Sequence, residues 1–336
     1  MSQKVKILYH YHHYNPQTEA VAQEIEILKE HFGGTLFLAD QSRFIPDWWK
    51  LQLKEKHFDL HHIYHPALVL RPFLKNYLFK LKKPVVLSIA SNPFTAGTKE
   101  DILSIKEKLQ RLGAIIVSDQ NSYDQLLAIG LQNVSVVRTG IKIDRFRITP
   151  APRGPILKLV MASSPHSEEG FSLKGIDLLL KALQGINQIK VYFLWRHKLE
   201  KQFWQLVSHY RVRDKVELIE DPIDVNQFLL DKHGMITPYL KFASNKAYPH
   251  SIIDALASGR AVLTSSVIPI SEIVQREHCG VVFRPTVESL VEAIENFRRN
   301  FTDLSKNASF TAEKYFSATD FVQNYQRVYQ EVLNQQ

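Results

Sequence analysis

Short apolar runs rich in β-branched residues alternate with longer stretches of helical period along most of the chain, the pattern of βαβ units and parallel sheets. In the first part, Val5–Tyr11, Thr35–Ala39, His61–Tyr64, Val85–Ile89, Ala114–Ser118 and Val134–Arg138 predict the strands of one doubly wound sheet. Between the first two, Val21, Ile25, Leu28 and Phe32 recur at steps of four, three and four, so one stripe of a helix faces the sheet. Asn15 can cap that helix, Pro16 suits its first turn and Gly33 follows its end. From Arg138 to Pro155 the text RTGIKIDRFRITPAPRGP holds three prolines and two glycines with no sustained period, which predicts a domain linker.

The alternation then restarts. Leu157–Ala162, Lys190–Trp195, Lys215–Ile219, Gly234–Thr237 and Ala261–Thr264 read as strands. Gly175–Leu183, Leu199–Tyr210, the region of Asp224–Asp231, Ile252–Ser258 and Val287–Phe297 read as helices. Ser317-Ala-Thr-Asp320 can form a capping box before Phe321, Tyr325, Val328 and Val332, the apolar stripe of a final amphipathic helix. The expected architecture is α/β: a Rossmann-like domain over residues 1–150, a second over 151–316, and a terminal helix over 317–336. Two open α/β domains place a ligand cleft at the carboxyl ends of their strands.

A length of 336 residues also suits two domains better than one. Lys and Arg number 42 against 34 Asp and Glu, a net charge of +8, in an otherwise ordinary globular composition of 45% apolar and 23% charged residues. That surplus suits a phosphate-bearing ligand, an anionic membrane surface or nucleic acid without choosing among them. No recognition-helix, zinc or RNP-type signature is present, so no nucleic-acid partner is expected. No apolar run approaches the roughly 18 residues needed to cross a bilayer, and Met1 to Tyr14 lacks a signal-peptide cleavage pattern. The only cysteine, Cys279, agrees with a reducing compartment, and a cytoplasmic location is expected.

The most informative stretch is Thr237–Ser266, a strand end, a polar and aromatic loop, a short helix, Gly259 and another strand. The N-terminus of that helix favours an anion, with phosphate the natural candidate, and Asp254 in its first turn can accept hydrogen bonds from ligand hydroxyls such as those of a ribose. The same residues, Ser251-Ile-Ile-Asp254, also form a capping box that needs no ligand. Lys174-Gly175, at the start of another helix, brings a formal charge and backbone donors to one side of a diphosphate; taken singly, it also reads as solvated surface.

Histidines crowd the first third: His10, His12, His13, His57, His61, His62 and His65. His10 and His12 would share a strand face, but no Asp, Glu or Cys stands at ligand spacing, and no metal site is expected. His12, His13 and His65 lie near the carboxyl ends of the first and third strands, where they are candidates for acceptor contact or proton transfer, or simply polar strand ends. Leu70–Lys83 can set Phe73, Leu74, Tyr77, Leu78 and Leu81 on one helical face with lysines largely elsewhere, which fits either peripheral contact with an anionic membrane or a sheet-packed helix.

Lys174-Gly175 and the Ser251–Asp254 helix, in this order, resemble the C-terminal domain of the family-4 retaining glycosyltransferases of the GT-B fold. Val137-Arg-Thr-Gly140-Ile-Lys-Ile-Asp144-Arg-Phe146, Ser271-Glu-Ile-Val274, Gly280-Val-Val-Phe283 and Phe316-Ser317 extend the resemblance over roughly 200 residues, mostly in the second half. It implies two Rossmann-like domains facing each other across a cleft, with the last helix packing back on the first. It further implies metal-independent transfer of a sugar from a nucleotide-sugar donor to a glycan, lipid-linked or small-molecule acceptor, with retention and with no cofactor beyond the donor itself. Lys174 and Gly175 would serve the diphosphate with His250 and Ser251, Asp254 the ribose, and Lys246 with Tyr248 the donor sugar or phosphate; Lys174, Lys246 and Asp254 are the catalytic candidates. Acceptor candidates are His12, His13, Tyr14, His65 and Asn92. Peripheral contact at the inner membrane face goes with a lipid-linked acceptor.

The departures define the alternatives. Lys246 stands eight positions before Asp254, where the family has the first Glu of its Glu-x7-Glu motif. Glu168-Glu169-Gly170 occupies the loop where an arginine is usual, Tyr14-Asn-Pro16-Gln-Thr18 replaces the glycine pair after the first strand, and Ala90-Ser-Asn92 replaces a histidine after the fourth. A nucleotide-sugar epimerase and a catalytically inactive nucleotide-binding or scaffold protein are therefore the competing expectations.

Overall fold

The computed structural model describes residues 5–11, 14–17, 19–38, 54–65, 80–94, 99–165, 167–196, 198–242 and 245–335. The chain divides into two compact units, Met1–Ile141 with Ser317–Gln336, and Lys142–Phe316. Each carries one parallel sheet that, among the described residues, has six strands.

The first unit holds β1 (Ile7–His10), α1 (Ala20–Phe32), β2 (Thr35–Phe37), β3 (Leu60–His65), β4 (Val85–Ile89), α2 (Lys99–Leu103), α3 (Lys106–Leu109), β5 (Ala114–Val117), α4 (Gln120–Ala128) and β6 (Val134–Val136). Its sheet order is β2-β1-β3-β4-β5-β6. Successive residues of these strands serve opposite faces. Leu8, Ile63, Leu87 and Ile115 pack with Ile102, Leu109 and Leu126 of α2–α4, while Ile7, Tyr9, Leu60 and Val86 pack with Val21, Ile25 and Leu28 of α1. Both faces are covered, which is why these strands read as near-continuous apolar runs.

The helix expected at Pro16 begins instead at Ala20. Asn15 Oδ1 accepts from Gln17 N at 3.1 Å, a local turn that competes with helix capping, and Glu19 takes the N-cap position without a side-chain cap. Gly33 does close the helix, in a positive-φ conformation.

The second unit holds β7 (Leu157–Met161), α5 (Glu169–Leu173), α6 (Ile176–Leu183), β8 (Ile189–Leu194), α7 (Glu200–Tyr210), β9 (Val216–Ile219), α8 (Val225–Leu229), β10 (Gly234–Thr237), α9 (His250–Ala257), β11 (Ala261–Ser265), α10 (Ile270–Arg276), β12 (Gly280–Phe283), α11 (Val287–Lys306) and α12 (Ala308–Phe316). The sheet order is β12-β11-β10-β7-β8-β9. Helix α11 continues to Lys306, well past the predicted Phe297. Its later turns carry a half-buried margin, Phe301 and Leu304, too sparse to read as a stripe. The 142–156 segment is not loose: the fully buried Arg260 donates to Thr149 O at 2.6 Å and Thr149 Oγ1 at 2.6 Å, and to the carbonyls of Leu229 and Leu230 at 3.0 and 2.9 Å.

The chain returns to the first unit at Ser317, beside Ile141, and runs on as α13 (Ala318–Asn334). Ser317 Oγ accepts from Asp320 N at 3.1 Å, as the capping pattern requires. Phe321, Tyr325, Val328, Tyr329 and Val332 bury against the β1/β3/β4 face. At roughly 1.5–3 kcal/mol for each large apolar side chain, that stripe dominates the docking of the helix.

Candidate functional site

In the second unit the winding runs β7-β8-β9 in one direction and then crosses back to β10-β11-β12 in the other. The carboxyl ends of the neighbouring strands β7 and β10 therefore form a topological switch point, where open α/β sheets bind ligands. Two residues past β7 lies Ser163; two past β10 lies Tyr239. Lys174, between α5 and α6, joins them: its Nζ donates to Ser163 Oγ at 2.8 Å, and Tyr239 Oη donates to the same oxygen at 2.9 Å. The ammonium also stands 5.7 Å from the centre of the Tyr239 ring.

Gly175 makes this approach possible. Its φ is +69°, and a Cβ there would lie 1.7 Å from Pro238 O, so no side chain fits. The loops are tied once more by Leu240 N donating to Leu173 O at 3.0 Å, and Tyr239 O accepts from Ser265 Oγ at 2.6 Å beside it. Burial, aided by the positive charge of Arg196, lowers the Lys174 ammonium to about 8. It is still mostly protonated near neutrality, and it is a weakly hydrated cation that gains much from an anion.

The loop after β10 leads to α9. Its N-cap is Pro249, with no side-chain cap, and Ser251 lies inside the helix rather than before it. The capping-box reading of Ser251 and Asp254 is thereby overturned: a proline supplies the extended residue at the helix entrance, and Asp254 turns elsewhere. Its Oδ1 accepts from Arg145 Nη2 at 3.2 Å. Burial pushes the buried Asp254 carboxyl above its usual range, while His250 and Arg145 pull it back down. Tyr248 and His250 are buried, the ring of the former 5.5 Å from that of Phe316 and tilted to it, and Lys246 is half-buried in the loop before α9.

Lys174 and Gly175 thus sit at one end of the switch point, Lys246 and Tyr248 on the β10–α9 connection, and His250, Ser251 and Asp254 in α9. Ser163, Tyr239 and Arg145 escape sequence reasoning. The first two are marked only by following strand ends, which acquires meaning once β7 and β10 are known to be neighbours; Arg145 lies 109 residues from its partner. A separate open depression of about 500 Å³, lined by Phe171, Glu168, Asp177, Gln202 and His209 among others, lies along α5, α6 and α7; its carboxylates make it a poor host for phosphate.

In the first unit the corresponding reversal falls between β1 and β3. His65 ends β3, half-buried, and its carbonyl accepts from Ala90 N at 2.8 Å. Asn92 Oδ1 accepts from Phe94 N at 2.9 Å, and Tyr14 is half-buried, its hydroxyl 3.4 Å from Lys29 Nζ. His12 and His13 lie outside the described residues, as does most of the amphipathic 70–83 segment. The expectation that no acidic residue accompanies the histidines is corrected: His10 Nε2 meets His61 Nδ1 at 3.0 Å, and His61 Nε2 meets Glu55 Oε1 at 3.1 Å. Glu55 also accepts from the N–H groups of Lys82 and Lys83, which fixes it as structure. Among the described residues no cluster of three or more His, Cys, Asp or Glu is arranged to hold a metal, and no helix is long and apolar enough to cross a membrane.

Two doubly wound parallel units in one chain, the last helix returning to the first, define the GT-B class of fold. HepE from Anabaena, solved with UDP and glucose, superposes with a TM-score of 0.76 at 15% identity, covering 97% of this chain and 99% of that one. Sucrose-phosphate synthase from Thermosynechococcus elongatus gives 0.76 at 14% identity over 99% and 100% of the two chains. A glycosyltransferase from Rickettsia africae gives 0.73 at 16% over 98% and 99%. At these identities the likeness is one of fold. Residues 167–314, within the second unit, match the family described as Glycosyl transferases group 1, which supports a glycosyltransferase. No curated protein matches the chain.

Proposed function

We propose that the protein transfers a sugar from a nucleotide-diphosphate donor to a glycan, lipid-linked or small-molecule acceptor, with retention at the anomeric carbon and without a metal. The observation that carries this reading is the Lys174 ammonium, depressed to about 8 by burial and held by Ser163 beside Tyr239, at the switch point of a unit that matches a glycosyltransferase family. HepE, of like fold, was solved with UDP and with UDP-glucose, which supports a nucleotide-sugar partner.

The chemistry follows from charge. Breaking the bond between sugar and diphosphate builds negative charge on the departing group and positive charge on the sugar. Lys174 and the open N-terminus of α9, through His250 and Ser251, stabilise that charge without reorganising. Gly175 lets the phosphate come close. Asp254 accepts from the ribose hydroxyls, and Lys246 with Tyr248 meets the donor sugar or phosphate. Tyr14, His65 and Asn92, with His12 and His13, are the acceptor candidates of the first unit.

The replacement of the expected acidic residue by Lys246 favours one second reading, a nucleotide-binding module without turnover. Calorimetry with UDP, ADP and GDP, followed by assays of donor hydrolysis and transfer with UDP-glucose and a panel of nucleotide sugars, separates the two. Transfer or hydrolysis that falls by at least about a hundredfold in Lys174→Ala, with circular dichroism unchanged, is the expected result. Unchanged turnover would remove Lys174 from the site, and binding without any turnover would establish the module.

A further inference from the structure

We propose that Arg145 is a positioning residue that presents Asp254 to a ribose, holding one carboxylate oxygen so that the other is offered to the sugar hydroxyls. The proposal rests on the nucleotide reading above and goes beyond it by assigning ribose selectivity to a residue outside the β10–α9 connection.

Arg145 Nη2 donates to Asp254 Oδ1 at 3.2 Å, and among the described residues this is the carboxylate's one hydrogen bond. The Asp254 side chain is 10% exposed, and among the described residues its Oδ2 accepts no hydrogen bond, so that oxygen is left to an arriving donor. A largely buried carboxylate oxygen gains from a hydroxyl that donates to it. Arg145 itself is held at three points. It ends the single 3-10 turn Ile143–Arg145, its carbonyl accepts from Asn226 Nδ2 at 3.2 Å, and its guanidinium lies 4.5 Å from the centre of the Phe146 ring. Asn226 Oδ1 also accepts from Arg147 N at 3.1 Å, so a side chain of α8 holds the backbone that follows the arginine at two points. The fork is prepared before any ligand binds.

The arrangement has a chemical purpose that a structural ion pair lacks. An ionised carboxylate accepts from the hydroxyls of a vicinal diol through charge-assisted hydrogen bonds; a protonated one accepts more weakly and must place its own proton. Burial alone drives Asp254 toward the protonated form, and the charges that oppose it are few. His250 shares α9, Arg145 comes from the segment before β7, and α8, β10 and β11 contribute no ionisable side chain. On α12 the charged positions are Glu313 and Lys314, the latter paired with Glu277. Arg145 therefore orients the acceptor and, with His250, opposes the rise that burial imposes on it.

The test compares UDP with 2′-deoxy-UDP by calorimetry from pH 5.5 to 7.5 for the natural chain, Arg145→Ala and Arg145→Lys. The ratio of the two affinities cancels the titration of the phosphate, common to both ligands. The natural chain is expected to favour the ribonucleotide by about tenfold or more, the worth of a hydrogen bond to a charged group, with a ratio that holds across this range. In Arg145→Ala the ratio collapses toward one, and does so first at low pH; Arg145→Lys, which keeps the charge but not the fork, recovers part of it. A ratio in Arg145→Ala equal to that of the natural chain at every pH overturns the proposal alone. A natural chain that binds none of UDP, ADP or GDP overturns the nucleotide reading and this proposal with it.

Discussion

Lys174 is the residue on which the site turns, and its titration gives the sharpest check. Burial favours the neutral amine, and Arg196 adds to that, so the ammonium loses its proton near 8 rather than near its usual value of 10.5. A bound diphosphate favours the charged form. Affinity for UDP is therefore greatest below about 8 and falls as pH rises through that value, by up to tenfold for each further unit. Lys174→Met weakens binding at neutral pH and flattens the profile; a natural chain whose affinity is level from pH 7 to 9.5 places the phosphate elsewhere. At this scale the Lys174-Gly175 pair was legible because charge and conformational freedom stand side by side in the text. Ser163 and Tyr239 were not, since their hydroxyls matter only for what they touch. Asp254 shows the limit most plainly: its spacing from Ser251 matched a local cap, and a side chain from a distant turn claimed it instead.

Among the elements, α13 combines an apolar stripe with polar anchors. His62 Nδ1 meets Tyr329 Oη at 2.7 Å, His62 Nε2 meets Ser88 Oγ at 2.7 Å, and Ser88 Oγ meets Tyr325 Oη at 2.8 Å, all buried. Burial lowers His62 to about 3, so the folded unit holds it neutral; burial lowers His10 and His61 as well. The unfolded chain takes up protons below about 6.5 and the folded one does not, so stability is complete above that value and is lost as pH falls from there. His62 alone removes roughly 1.4 kcal/mol between pH 7.5 and 5.5, and His10 and His61 act in the same direction. Thermal unfolding at these two values shows the loss for the natural chain, and His62→Gln reduces it by the share of one histidine while lowering stability at pH 7.5. An equal acid loss in the variant would mean that His62 does not carry it. The stripe of this helix was readable from its spacing and the Ser317 cap from its motif. The histidine anchors were not, because His62 and Tyr329 lie 267 residues apart.

For the molecule as a whole, the assignment of the donor to the second unit can be read directly by hydrogen exchange. Addition of UDP to the full chain is expected to slow exchange in residues 162–176 and 238–254, which lie in the Lys142–Phe316 unit, and to leave the β1–β4 strands of the first unit unchanged. Protection centred on β1 and β3 would move the nucleotide to the other unit. The sequence by itself determined the alternation of strand and helix, the restart after the proline-rich segment and the stripe of the last helix, because these depend on period and on residues near one another in the chain. Only the tertiary structure decided that β7 and β10 are neighbours, that α9 opens on a proline, and that Arg145 reaches Asp254. Strand order and long-range pairing come from the global packing of two sheets, and the chemistry of the site arises where loops far apart in sequence end side by side.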